Sequence, residues 1–201
     1  MSSQALWYLT RATGIVALIL LTATIVLGVL GTGRVASRRW PRIVTSGLHR
    51  NLALTSTALV AVHVITTVLD PYVPISLAAA FIPFASSYRP IWLSLGAIAF
   101  DLLLAVLLTS LLRDRLTRRA WHAVHMLVYA CWPIALWHGL GTGTDSRLSL
   151  VLAIDAACVL AVVAAALWRL WLTGERSRLT AGLAVMALLT VFTVGVLGVV
   201  V

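Results

Sequence analysis

The chain contains six apolar segments that are each long enough to cross a lipid bilayer, which takes about 20 residues of helix. Inside lipid the backbone N–H and C=O groups must pair within the protein, so segments of this kind fold as helices. Hydrophobic residues make up 61% of the 201 residues and charged residues only 10%, which excludes an ordinary soluble domain. We therefore predict an all-α, multi-pass membrane protein, a single domain over residues 1–201 with six helices in a bundle. The predicted spans lie at about residues 6–30, 46–69, 92–112, 119–140, 148–172 and 179–201.

The arginines predict the orientation of these helices. All 15 basic residues are arginine, and they lie between the apolar segments instead of in one patch, which argues against nucleic-acid binding. Twelve fall on the side that holds the first, third and fifth connections, whereas Arg11, Arg89 and Arg147 fall on the other side. Under the positive-inside rule, both termini lie outside, and spans two and four run parallel from inside to outside. We expect the membrane to be a bacterial cytoplasmic membrane.

Four of the five histidines form two pairs with nearly equal spacing. His49 and His63 are fourteen residues apart in span two, and His125 and His138 are thirteen apart in span four. At about 1.5 Å per residue, each spacing corresponds to roughly 20 Å along a helix axis. Because the two spans are predicted to be parallel, His49 is expected at the depth of His125 and His63 at the depth of His138.

Histidines paired at two depths predict two haems with axial imidazole ligands. Ionisable groups are costly inside a bilayer, so four at matching depths indicate a shared purpose. Neutral imidazole is a good axial ligand for haem iron, and we predict His49 with His125 and His63 with His138 as the ligands of two haems. Zinc fits less well, because no cysteine or carboxylate lies within ligand spacing of either pair. His122, one turn before His125, is a competing ligand whose spacing to His138 matches span two less closely.

One of these spacings requires an irregular helix. Fourteen residues turn about 1400°, close to four full turns, so His49 and His63 share a face. Thirteen residues turn about 1300°, which leaves His138 roughly 140° away from His125 on a regular helix. Pro133 lies between them and removes a backbone hydrogen bond. We predict a kink or a changed winding there that returns His138 to the haem-facing side.

Several polar residues are candidates for supporting roles. Haem propionates need cations or hydrogen-bond donors, although arginines near span ends also set topology and bind lipid headgroups. The candidates are Arg50, Arg119 or its neighbour Arg118 for the inner haem, and Arg89 with Tyr88 for the outer haem. Asp101 and Asp155 lie within spans three and five, where they are either part of a proton pathway to a quinone or structural groups that stabilise helix contacts.

Short motifs surround the histidines: His49-Arg50-Asn51-Leu52, Trp121-x-x-x-His125 and Trp137-His138-Gly139. In these motifs, over roughly residues 10–172, the chain resembles the ferric reductase-like transmembrane domain family. That family includes the membrane parts of NADPH oxidases and yeast ferric reductases, and the bacterial haem subunit of the methionine sulfoxide reductase system. The resemblance implies that the four histidines hold two b-type haems, which carry electrons from one face of the membrane to the other.

These patterns together predict transmembrane electron transfer from a cytosolic flavoprotein or a quinol to an extracytoplasmic acceptor. The sequence has no Gly-rich dinucleotide fingerprint, so we expect any flavin or quinone to arrive with a separate partner. The acceptor could be an FMN-binding protein, a reductase subunit, ferric iron or oxygen. No residue is assigned to acid–base catalysis, and the chain is expected to be the haem subunit of a larger oxidoreductase system. Two alternatives stay open: a haem-free transporter that handles protons or a metal ion, and a quinol-linked anchor for a reductase subunit.

Overall fold

The computed structural model describes residues 3–32 and 41–173, and over these residues it is helical and contains no strand. Five helical stretches in this part of the chain are long and apolar enough to cross a membrane, which confirms an all-helical, multi-pass membrane protein. The predicted span at 179–201 lies outside the described residues, and the orientation of the termini stays a prediction. The helices are α1 (Ser3–Thr32), α2 (Arg42–Leu69), α3 (Pro90–Leu111), α4 (Arg118–His125), α5 (Val128–Thr142) and α6 (Ser149–Thr173). The fourth candidate span consists of α4 and α5 together.

The side chains of these helices suit a lipid environment. Large apolar residues are exposed along the spans, as at Ile65, Leu108 and Leu160. Hydroxyl groups within the spans bond to a carbonyl four residues earlier in the same helix: Thr24 donates to Leu20 at 2.7 Å. Such bonds satisfy polar side chains inside the bilayer without a partner from solvent.

The described chain divides into two compact units by its contacts. The first unit contains residues 3–14 and 60–146, and the second contains residues 15–32, 41–59 and 147–173. His63, His125 and His138 belong to the first unit and His49 to the second.

The helix through span four is irregular, as the histidine spacing requires. The helix is interrupted at Met126 and Leu127. The Met126 N–H still bonds to the His122 carbonyl four residues earlier, but the Leu127 N–H bonds to the Val124 carbonyl, only three residues earlier, at 3.0 Å. The same shorter bonds follow at Tyr129 and Ala130. A 3₁₀ turn rotates the chain by about 120° per residue against about 100° in an α-helix, so this stretch winds the chain further around.

Pro133 itself lies inside α5 and not at the interruption. The ring of a proline crowds the carbonyl four residues earlier, which here belongs to Tyr129. The altered winding lies between Val124 and Ala130, before the last turn that precedes the proline. The sequence-based prediction was right that the helix is irregular between His125 and His138 but placed the irregularity at Pro133.

In the first unit, α3 packs antiparallel against α5. The Cys131 thiol donates to the Ala99 carbonyl at 3.2 Å, and the indole of Trp92 stacks on that of Trp137 with ring centroids 6.0 Å apart. Gly141 lies directly against the Trp92 indole. As residue numbers rise along α3, those of the contacting residues on α5 fall, so the two helices are antiparallel. At Gly141, the missing side chain of α5 leaves room for the large Trp92 side chain of α3.

Candidate functional site

His63 and His138 lie next to each other in the first unit. Their ring centroids are 6.2 Å apart and the ring planes are nearly perpendicular, at 86°. The two histidines are 75 positions apart in the chain, and their side chains come from different helices, α2 and α5. The structure therefore brings together the pair that the sequence predicted for the outer side.

Backbone carbonyls hold one nitrogen of each ring. His63 Nδ1 lies 2.8 Å from the Thr10 carbonyl of α1, and His138 Nδ1 lies 2.9 Å from the Trp92 carbonyl of α3. A carbonyl oxygen can only accept, so each Nδ1 must carry the hydrogen and donate it. The other nitrogen, Nε2, is then unprotonated in the neutral ring and carries the lone pair that binds a metal.

In the second unit, His49 has the same arrangement. Its Nδ1 lies 2.9 Å from the Thr24 carbonyl of α1. A helical glycine lies against the ring in all three cases: Gly14 by His63, Gly28 by His49 and Gly96 by His138. Sequence reasoning missed these glycines and carbonyls, although Gly14 and Gly28 are fourteen residues apart, the same spacing as His49 and His63.

His125 lies at the end of α4 in a different setting from the other three. Its ring stacks on Trp121 with centroids 4.9 Å apart and planes 22° from parallel. The Arg113 guanidinium lies 4.7 Å from the centroid of the Trp121 ring. His122 is exposed, whereas His125 is partly buried, which favours His125 over His122 as a ligand within this helix.

The predicted arginines take different positions. Arg119 lines an open depression at the start of α4 together with Arg118 and His122, and Arg50 is exposed on α2 directly after His49. Arg89 donates to the Gly141 carbonyl, and its guanidinium lies 5.9 Å from the centroid of the Tyr88 ring.

Arg11 is a further cation that sequence reasoning did not single out as a site residue. It donates to the Thr144 hydroxyl at 2.8 Å and lies close enough to His63 and His138 to act electrostatically on both. The sequence carried no signal for this role, because the bond between His63 and the carbonyl of the neighbouring Thr10 is visible only in the folded chain.

Two buried indole N–H groups, of Trp121 and Trp137, have no acceptor among the described residues. Buried donors without an acceptor are rare in folded proteins. Trp121 stacks on His125, and Trp137 directly precedes His138, so both donors belong to the immediate surroundings of predicted ligands.

The two acids predicted within the spans, Asp101 and Asp155, lie in different units. Over residues 3–32 and 41–173, no three His, Cys, Asp or Glu side chains lie together as ligands of a bare metal ion. Asp101 is exposed on α3 in the first unit, and Asp155 is buried on α6 in the second.

Comparison with known proteins gives one match. The model of the ferric reductase-like transmembrane component family matches residues 13–136, more than half of the chain. The chain belongs to this family. The matched range includes His49, His63 and His125 and ends two residues before His138. No curated protein and no solved structure matched.

Membership of the ferric reductase-like family confirms the resemblance recognised in the sequence and supports transmembrane electron transfer as the general activity. His138, just beyond the matched range, is connected to the rest of the site by its contact with His63.

Proposed function

We propose that this protein is a bis-histidine, di-haem b-type cytochrome that carries electrons across a bacterial cytoplasmic membrane. The electrons would pass from a cytosolic flavoprotein or a quinol to an extracytoplasmic acceptor protein, ferric iron or oxygen. The observation that carries the proposal is the contact between His63 and His138, with both Nδ1 atoms held by backbone carbonyls.

The separation of these rings fits a shared metal. A metal–imidazole bond of about 2 Å and a distance of about 1.1 Å from the nitrogen to the ring centroid place two opposing rings about 6.2 Å apart. The observed separation of 6.2 Å agrees with this value. Two histidines alone do not complete the tetrahedral site that zinc requires, whereas they are a complete axial ligand set for haem iron.

The surrounding residues also suit a haem. Carbonyl bonds at Nδ1 orient each ring and increase the basicity of the ligating nitrogen. The unpaired indole N–H of Trp137 and the guanidinium of Arg11 supply a donor and a cation near the pair, and haem propionates accept from both kinds of group. A haem held here would supply one-electron redox chemistry, while the residues of the chain bind and orient it and keep water away.

The second haem is proposed on His49 and His125, from their spacing in the sequence and from family membership. Within its own unit, His49 has the same carbonyl bond and glycine contact as the outer pair. Arg50 and Arg119 are the proposed propionate contacts of this inner haem.

A visible spectrum of the purified protein tests the proposal. Protein made with sufficient haem should show the reduced bands of a six-coordinate b-type cytochrome and about two haems per chain. His63→Ala and His138→Ala should each remove the same haem and leave the other, whereas a colourless wild-type protein would refute the proposal. Reduction of the haems by a reduced flavin or by a quinol then identifies the class of donor.

A further inference from the structure

Three histidines contact their neighbouring helix in the same way. Each places Nδ1 on the carbonyl of one residue and its ring against the glycine four residues later in the same helix. We call each combination of carbonyl and glycine a glycine seat. The three glycine seats are Thr10 with Gly14 for His63, Thr24 with Gly28 for His49, and Trp92 with Gly96 for His138.

Helix geometry explains the interval of four. Every Cα–Cβ bond in an α-helix tilts toward the N-terminus, so a side chain covers the turn before its own Cα. The carbonyl of residue i therefore lies beneath the Cβ of residue i+4. A glycine at i+4 exposes that carbonyl to a donor from another helix, in addition to the N–H it already receives within its own helix.

The clearances show how little space remains. A Cβ added at Gly96 would lie 2.5 Å from Cε1 and Nδ1 of His138, and one at Gly14 would lie 3.0 Å from Nδ1 of His63. At Gly28 the nearest atom of His49 would be Cε1, at 3.3 Å. Nonbonded carbon atoms normally lie about 3.5–4.0 Å apart. An alanine would thus displace the ring most strongly at Gly96 and least at Gly28.

We infer that Gly14, Gly28 and Gly96 are positioning residues for the haem ligands. By exposing one carbonyl each, they make Nδ1 the donor and leave Nε2 as the only nitrogen that can bind iron. They also set the ring plane, because the ring lies against the helix surface where a side chain would otherwise project. This inference rests on the proposed haem ligation.

Substitution by alanine tests the glycine seats, and the chain provides two matched controls. Gly139 is adjacent to His138 and Gly47 is two residues before His49, both are helical, and a Cβ at either has nothing within 4 Å. There are three readouts. Haem content reports occupancy, the visible spectrum reports the ligation state, and the electron paramagnetic resonance of the oxidised protein reports the orientation of the ligands.

Gly96→Ala should lose about half of the bound haem, with the same spectral change as His138→Ala. Gly14→Ala should retain more haem but shift the low-spin resonance of that same haem, and Gly28→Ala should shift the other resonance by the smallest amount. Gly139→Ala and Gly47→Ala should match the wild type. If Gly96→Ala does not accumulate, the milder Gly14→Ala variant decides the question.

Two outcomes separate this inference from the proposed function. A wild-type protein without haem would overturn both. A wild-type protein with two haems, together with Gly96→Ala and Gly14→Ala variants whose spectra equal those of the controls, would overturn the role of the glycine seats and leave the proposed function intact.

Discussion

Replacing Gly141 by alanine should disturb the packing of α3 against α5 and, through it, the proposed haem ligand His138. The added Cβ would lie 1.9 Å from Cδ2 and 2.1 Å from Cε3 of the Trp92 indole. Since carbon atoms normally lie about 3.5–4.0 Å apart, the indole would have to move by roughly 1.5–2 Å. Trp92 cannot move alone, because it stacks on Trp137 and its carbonyl receives Nδ1 of His138.

The expected cost follows from two opposing effects. Overpacking of a well-packed contact costs about 1–3 kcal/mol, and the size of this overlap points to the upper end of that range. Alanine is favoured over glycine within a helix by about 0.5–1 kcal/mol. We therefore expect a net loss of about 2 kcal/mol in the free energy of unfolding.

The assay is denaturant unfolding in detergent micelles, followed by helical circular dichroism and, in the haem-loaded protein, by the Soret band. Gly139→Ala is the control, because it lies in the same helix with nothing within 4 Å of the added Cβ. It should be as stable as the wild type or slightly more stable. Equal stability of Gly141→Ala and Gly139→Ala would refute the described register of α3 on α5.

Three further predictions concern the outer pair. The planes of the His63 and His138 rings are 86° apart, and axial imidazoles in this arrangement would leave the iron dπ orbitals of the proposed haem nearly degenerate. The oxidised, haem-loaded wild type should therefore show a strongly anisotropic low-spin resonance, and weakly anisotropic signals alone would contradict this. Thr10→Val removes the 2.8 Å bond between the Thr10 and Thr66 hydroxyls, but the Thr66 hydroxyl keeps acceptors in its own helix, so the free energy of unfolding should fall by about 1 kcal/mol or less. The Thr10 carbonyl is unchanged in this variant, so a changed haem spectrum would argue against a role for that carbonyl alone. Arg11→Gln removes a positive charge that would favour the reduced form of the proposed outer haem. The midpoint potential of that haem should therefore fall in a redox titration, and an unchanged value would exclude Arg11 from its surroundings.

Much of the fold could be read from the chain because the decisive signals are local. The length and apolarity of a segment determine whether it crosses a bilayer, and the five described spans agree with five of the six predicted ones. The irregular helix before His138 was also predictable, because thirteen residues cannot return to the same face of a regular helix. Its position at Met126 and Leu127 was not, since the proline suggested a break at Pro133, whereas α5 continues through that residue.

The sequence by itself determined the class of protein, the candidate ligands and the family, since spacing and apolarity are properties of one continuous segment. Only the tertiary structure decided which backbone groups hold those ligands. The Thr10 and Trp92 carbonyls face histidines 53 and 46 positions away, and nothing in the identity of a threonine or a tryptophan predicts that its carbonyl will accept a hydrogen bond from another helix. That choice depends on the register between packed helices, which the bulk of Trp92 and the missing side chains of Gly14, Gly96 and Gly141 determine together.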